Sequence, residues 1–145
     1  KESDLVSLSE RELRLPSNHP NAIRFLHRNP PQRRAETGNS CYSPQPYQPR
    51  TWQYVVATKQ GSQMTLYVNG EKIAEAKEKT PCPDDLYVLI GQNWPLQFLD
   101  EARSREFVGE LDEVAVYDRA LSAEEVASHY RLAHPPEVAE ATRAM

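Results

Sequence analysis

Three blocks in the second half of the chain decide the fold: residues 52–58 read WQYVVAT, residues 66–70 read LYVNG and residues 107–122 read FVGELDEVAVYDRALS. In the first block, Tyr54 and Val56 alternate with their neighbours, as side chains do on a strand whose two faces differ. The polar turn at 60–63 then leads into a second alternating run. This arrangement predicts a β-hairpin.

A second reversal follows directly after the hairpin. Asn69 and Gly70 tolerate the positive φ angles that a type I′ turn requires at its two central positions. We therefore expect residues 72–76 to run back as the third strand of a meander. The alternation continues through 86–90, which predicts a further strand.

The last block predicts a strand that bends. Phe107 and Leu111 share one parity along the chain, whereas Val114 and Val116 have the other. A shift of one residue moves the side chains of a strand to the opposite face. A bulge or bend near residues 112–113 is the economical explanation.

Helical signals begin after that strand. Ser122 and Glu125 have the spacing of a capping box, and Leu121 with Val126 makes the matching hydrophobic staple. The sequence therefore predicts a short helix over residues 123–131, ended by the prolines that follow.

The first half of the chain has weaker signals. Residues 22–27 alternate well enough for a strand, and 40–43 predict a short strand. That short strand should end at Pro44 and Pro46, because proline cannot donate a hydrogen bond to a ladder. Residues 5–15 leave two structures open, a strand at their start or a helical turn further on.

Length and composition favour one soluble domain. The chain has 145 residues, 39% of them hydrophobic and 26% charged, and we expect the domain over residues 1–133 with a linker or tail over 134–145. The net charge of -4 predicts no nucleic-acid partner. The longest apolar runs are too short for membrane insertion. The first residues do not have the pattern of a signal peptide, so the signal of an exported protein would lie upstream.

The spaced motifs together resemble a known family. The motifs are WQYVVA from 52, LYVNGE from 66, LIG from 89 and the block from 107 to 125. Together they are similar to the laminin G-like domains of the concanavalin A-like lectin/glucanase superfamily. The similarity is to the bacterial type of these domains, which is appended to large exported proteins. The resemblance implies an all-β fold, an antiparallel two-sheet β-sandwich or jelly roll with one short C-terminal helix. Domains of the family are usually longer on the N-terminal side, so this chain would lack N-terminal strands or have an abbreviated version of them.

The resemblance also implies a binding function. Such domains usually bind carbohydrate or protein partners rather than catalyse reactions. We therefore expect a non-catalytic module of a larger exported protein, located in the periplasm, at the cell surface or outside the cell. The alternative is a structural or accessory domain that packs against a neighbouring enzyme domain and has no ligand of its own.

The candidate ligand-binding residues lie in the loops of such a sandwich. Trp94 stands in a long connection and could stack on a sugar face or anchor an interface, or it could fold back over the end of the sandwich. Trp52, at the head of a strand, is expected in the core. The other ligand-binding candidates are Tyr42, Tyr47, Arg103 and Arg105.

Calcium is the one cofactor that the resemblance suggests. Pentraxins of the same superfamily bind calcium through residues after an Ile-Gly-Gln-like segment, and residues 90–92 have that sequence here. The loop that follows offers Asp100 and Glu101, and Asp112 is a further weak candidate. Because calcium takes about 6 to 8 oxygen ligands, we expect no cofactor unless this loop supplies more of them.

Two further features bear on chemistry. Glu110 and Asp112 resemble paired carboxylates of a glycoside hydrolase family on the same fold, but Val114 stands where its third acid would be, so we expect no enzymatic activity. Cys41 and Cys82 fit either one disulfide, which would imply an oxidising compartment, or two buried thiols.

Overall fold

The computed structural model of the protein describes residues 6–8, 22–27, 39–82, 90–91 and 107–134. In this part of the chain, two antiparallel sheets of three strands each have the orders β1-β2-β3 and β4-β5-β6, and one helix follows them. The architecture confirms the predicted antiparallel β-sandwich with a short C-terminal helix. The elements are β1 (Val6–Leu8), β2 (Ala22–His27), β3 (Asn39–Pro46), β4 (Val55–Gln60), β5 (Gln63–Val68), β6 (Glu71–Lys77) and α1 (Ala123–Ala133).

The meander of β4, β5 and β6 is built as its sequence predicts. β4 and β5 pair in register without interruption up to the turn around Gly61, which has a φ of 55°. β5 and β6 are joined by Asn69 (φ 52°) and Gly70 (φ 82°), and both angles are positive as a type I′ turn requires. The two tight turns therefore hold three strands together with few connecting residues.

The first sheet differs from its prediction at β3. The strand continues through Pro44 and ends at Pro46, so the expectation that it stops after residue 43 was wrong, whereas Pro46 is its last residue. Among the described strands, β3 pairs on one side only, and a missing proline N–H costs no ladder bond on the other side. On the paired side, the Ser43 hydroxyl accepts the N–H of Ile23 at 2.9 Å, beside a register shift in the ladder. A side chain thus replaces a backbone partner.

The main core lies between the two sheets. Its fully buried members come from both of them: Ile23, Phe25 and Cys41 from the first sheet, Met64 and Leu66 from the second. The thiol of Cys41 donates to the carbonyl oxygen of Met64 at 3.8 Å, a weak bond that joins the sheets. This packing makes the two sheets one sandwich.

The helix covers the outer face of β5. Ser122 and Glu125 form the predicted capping box, and Leu121, Val126 and Tyr67 form a second buried cluster. The prediction of the helix is confirmed, although α1 runs two residues beyond the expected end. Strand β5 is therefore buried on both faces, by the first sheet on one side and by α1 on the other.

Two expectations about strands and burial were wrong. Residues 107–116 form no strand, and the chain there is exposed throughout. The predicted bend is present, because Glu113 has a φ of 52°. Trp52 is 57% exposed and does not lie in the core.

Of the strand predicted over 86–90, only Ile90 is among the described residues. No helix in the described ranges has the length and apolar character needed to cross a bilayer.

Candidate functional site

A long run of exposed residues extends over 107–118 and is called the open segment below. All twelve residues are exposed, and Val108 is exposed to 94%. Soluble proteins seldom leave a contiguous apolar surface uncovered unless it contacts something. The open segment is therefore the strongest candidate for a contact surface. Its large apolar side chains are Phe107, Val108, Leu111, Val114, Val116 and Tyr117.

The backbone of the open segment is held at few points. Phe107 donates its N–H to the carbonyl oxygen of Gly91 at 2.8 Å, and Glu113 donates its N–H to Asp112 Oδ1 at 2.9 Å. Within the described ranges, its other backbone groups have no protein partner. Such a stretch exposes N–H and C=O groups in the way that the edge of a sheet does.

The open segment is also acidic. It contains Glu110, Asp112, Glu113 and Asp118 and no Lys or Arg. Arg119 follows it directly, but the guanidinium is held in two hydrogen bonds by the carboxylate of a residue in the first turn of α1, at 2.9 and 2.6 Å. The positive charge of Arg119 is thus already matched, and the exposed surface combines apolar side chains with negative charge.

The partner of Arg119 in this pair is Glu125. Hydrogen bonding by Arg119, and then by the backbone N–H of Ser122, lowers the pKa of Glu125 to about 2. The same carboxylate completes the capping box. Glu125 therefore joins the end of the open segment to the start of α1.

Aromatic rings pack between the meander and α1. The ring of Tyr130 lies between Tyr54, with centroids 6.1 Å apart, and His134, at 4.5 Å. A Cβ on Gly70 would come within 3.0 Å of the Tyr130 ring, so glycine permits this approach. Burial raises the pKa of Tyr54. Tyr130 thus packs α1 against the meander, whereas Tyr117, at the end of the open segment, is 49% exposed.

The predicted ligand-binding residues divide into two groups. Tyr42 is half-buried, and the guanidinium of Arg24 lies 5.5 Å from its ring centroid, a cation–π distance. Tyr47 is half-buried against the main core. Both tyrosines therefore have packing roles, and a ligand role for them stays a prediction. Trp94, Arg103 and Arg105 lie outside the described residues.

Of the predicted calcium candidates, only Asp112 lies among the described residues, and it is not part of a metal site there. Asp112 accepts the N–H of Glu113 and so stabilises the bend. In the ranges that the structure describes, no group of three or more His, Cys, Asp or Glu side chains could hold a metal ion. Asp100 and Glu101 lie outside those ranges, and calcium binding stays a prediction.

A buried histidine was missed by the sequence analysis. His27, the last residue of β2, is fully buried, and neither ring nitrogen has a hydrogen-bond partner among the described residues. Burial lowers its pKa; nearby Lys59 lowers it further, and Glu78 opposes the effect. The signal was present, because His27 has the same parity along β2 as Ile23 and Phe25.

The two cysteines are separate thiols in the structure, and only one is buried. Cys41 lies in the main core, where burial, with a smaller contribution from Glu75, raises its pKa to about 11. Cys82 is exposed. The arrangement matches neither sequence alternative in full, since the thiols are unbonded and only Cys41 is buried.

Comparisons with known proteins give two matches. A laminin G family model described as the concanavalin A-like lectin/glucanases superfamily matches residues 3–127. Among solved structures, the chain is similar to the 2.1 Å crystal structure of an S-layer domain-containing protein (residues 221–444) from Clostridium thermocellum ATCC 27405, with 22% identity and a TM-score of 0.48. The match covers 75% of this chain and 51% of that one, so this chain spans about half its length. A comparison with curated proteins finds no match.

Proposed function

Because the chain belongs to the laminin G-like family of the concanavalin A-like lectin/glucanase superfamily, we propose that it is a non-catalytic binding module of a larger exported protein, and that it recognises a protein partner. Modules of this superfamily commonly bind carbohydrate or protein. The resemblance of the sequence motifs to the bacterial type of domain supports export of the whole protein, to the periplasm, the cell surface or the extracellular space.

One observation supports a protein partner in particular, the exposed apolar surface of the open segment. Protein interfaces bury apolar side chains at their centre and satisfy backbone groups with hydrogen bonds. Val114 and Val116 supply such side chains, since both are largely exposed. A sugar would instead favour an exposed aromatic face beside polar side chains, whereas four of the six large apolar side chains of the open segment are aliphatic.

Site-specific photo-crosslinking tests this proposal. A photoreactive residue is placed at position 116 in the open segment. The control has it at position 132 on α1, because Leu132 also lies outside the core and is 76% exposed. Cells then produce the protein with its natural flanking sequence. We expect an adduct with a second polypeptide from position 116 and none from position 132. Equal adducts from both positions, or none from 116, would overturn the proposal.

The same experiment separates the second candidate function. If the domain is a structural or accessory unit, the crosslink from position 116 should join it to a neighbouring domain of the same polypeptide. The open segment favours this candidate too, because a neighbouring domain would cover it as well as a separate partner would. Mass-spectrometric mapping of the crosslinked peptides distinguishes the two.

Carbohydrate recognition by the loops remains a separate proposal. Its candidates are Trp94, Tyr42, Tyr47, Arg103 and Arg105. A glycan array with the wild-type protein and the Trp94→Ala variant tests it, because the variant lacks the ring that would stack on the sugar and should bind more weakly. Failure of the wild-type protein to bind any glycan would leave the protein partner as the remaining ligand class.

A further inference from the structure

We propose that the open segment accepts an extended polypeptide in which apolar residues alternate with Lys or Arg, and that this polypeptide pairs with it as an added β-strand. The proposal rests on the proposed binding function and names the partner class and the mode of docking. Three features of the segment support it: its residue types, its free backbone and its charge.

The residue types are those of a strand. The stretch from Val114 to Tyr117 contains β-branched and aromatic side chains, which favour a pleated surface packed on one side. Val114 and Val116 share a parity and are both exposed. The sequence is therefore suited to a strand, and the described residues supply no paired strand for it, although the Tyr117 ring lies 6.3 Å from the ring of His129.

The backbone of this stretch is available for pairing. Apart from the bonds of Phe107 and Glu113, its N–H and C=O groups have no partner in the described part of the chain. An extended peptide can satisfy such groups by adding a strand, and side-chain pockets then select its sequence. The left-handed bend at Glu113 interrupts the segment, so we place the pairing on residues 114–117.

The charge of the segment selects a basic partner. Four carboxylates lie within twelve residues, and the adjacent Arg119 is held by Glu125. Residues 114–117 carry no charge themselves but are flanked by Glu113 and Asp118, so a basic residue at either end of the added strand would meet an opposite charge, which stabilises a strand pair, whereas like charges destabilise it. A second copy of this chain would bring four more carboxylates to the same edge, so the charge disfavours self-pairing and favours Lys or Arg on the added strand.

Synthetic peptides test the docking mode. The probe is an eight-residue peptide of alternating Val and Lys, with blocked ends, used at micromolar concentration in fluorescence anisotropy. Two controls have the same length: the same peptide N-methylated at each Val, which removes N–H donors, and a peptide of alternating Val and Glu. We expect the Val-Lys peptide to bind at least tenfold more tightly than either control, and to weaken as salt is raised, because salt screens the charges.

Protein variants test the location. Val114→Lys with Val116→Lys removes the apolar side chains and halves the net negative charge of the open segment, and it should weaken binding of the Val-Lys peptide at least tenfold. Leu132→Lys makes the same chemical change at an exposed position on α1 and should leave binding unchanged. All three positions are exposed, so circular dichroism should report the same fold for each variant.

Several results would overturn the inference. Equal binding of the N-methylated peptide would exclude strand pairing, and equal binding of the Val-Glu peptide would exclude charge selection. No binding of the Val-Lys peptide, or a concentration-dependent dimer that the double Lys variant abolishes, would exclude the basic partner. Each of these leaves the proposed function to be judged by the crosslink from position 116, which depends on no particular partner sequence.

Discussion

The meander of β4, β5 and β6 and the open segment are both rich in residues that favour strands, yet only the meander forms a sheet. In the meander, each strand meets its partner across a turn of two residues, as between Val68 and Glu71. Among the described residues, the open segment has no such paired neighbour. The difference indicates that strand-forming side chains need a partner within reach, and an uncovered set of them is the basis of the proposed contact surface.

The largest expected effect comes from equal truncations in the two regions. Leu66 lies fully buried on β5, and Leu66→Ala should lower the free energy of unfolding by about 2–5 kcal/mol, because it removes packed methyl groups and leaves a cavity. Leu111→Ala, in the open segment, should change it by about 0.5 kcal/mol or less. Urea denaturation of both variants measures the difference. A comparable loss for Leu111→Ala would mean that the open segment is packed in solution.

A smaller effect is expected where the meander meets α1. Gly70→Ala adds a methyl group at a φ of 82° and within 3.0 Å of the Tyr130 ring, so we expect a loss of about 1–3 kcal/mol. Gly61→Ala is the matched control, because Gly61 also has a positive φ but a Cβ there would meet nothing within 4 Å. Its loss should be about 1 kcal/mol. If thermal unfolding shows equal losses, Tyr130 does not pack on this turn.

The helix cap gives the next effect in size. Ser122→Ala removes the side chain that accepts the Glu125 N–H, and it should cost about 1 kcal/mol of unfolding free energy. Ser122→Asp keeps an acceptor at the same position and is expected to retain most of the stability. Since the cap follows the open segment directly, a change in Val-Lys peptide binding by Ser122→Ala would show that α1 and the open segment are coupled.

The smallest expected effect is a pH dependence of the free energy of unfolding that arises from His27. Its pKa in the folded protein is lowered from 6.5, so the unfolded chain binds the proton more readily. Stability is therefore expected to fall gradually as the pH drops from about 6.5 towards the folded-state pKa. Chemical denaturation between pH 7.5 and 5.5 measures this slope. The His27→Leu variant should lose it, and an unchanged slope in that variant would assign the effect to other groups.

Local signals predicted the structure well where both partners of an interaction lie close in sequence. The Asn69-Gly70 turn needs only two residues of suitable φ, and the capping box needs two side chains three positions apart. Each was confirmed because its physical cause lies within a few residues. The meander followed from the same kind of information.

Features that depend on distant neighbours could not be predicted from the sequence. Pro44 and Pro46 are tolerated because β3 pairs on one side only among the described strands, and strand pairing is a property of the whole sheet. The burial of His27 and the exposure of Trp52 likewise depend on what packs against them.

The candidate site follows the same rule. The open segment was expected to be a paired strand, and its exposure depends on partners elsewhere in the chain or outside it. Tyr42 and Tyr47 were chosen as loop residues, but their contacts with Arg24 and the core depend on the first sheet. Sequence reasoning thus identified the strand-forming residue types of the open segment but expected them to be paired in a sheet.

The short turns of the meander also bear on the order in which the protein folds. Chain segments that contact each other across few residues lose little entropy when they meet, and they form early. Strands β4, β5 and β6 satisfy this condition, whereas β2 and β3 are separated by eleven residues. We therefore expect the meander to form first and to act as the template on which the first sheet condenses, so that Leu66 already contributes to the folding transition state before Phe25 is buried against it.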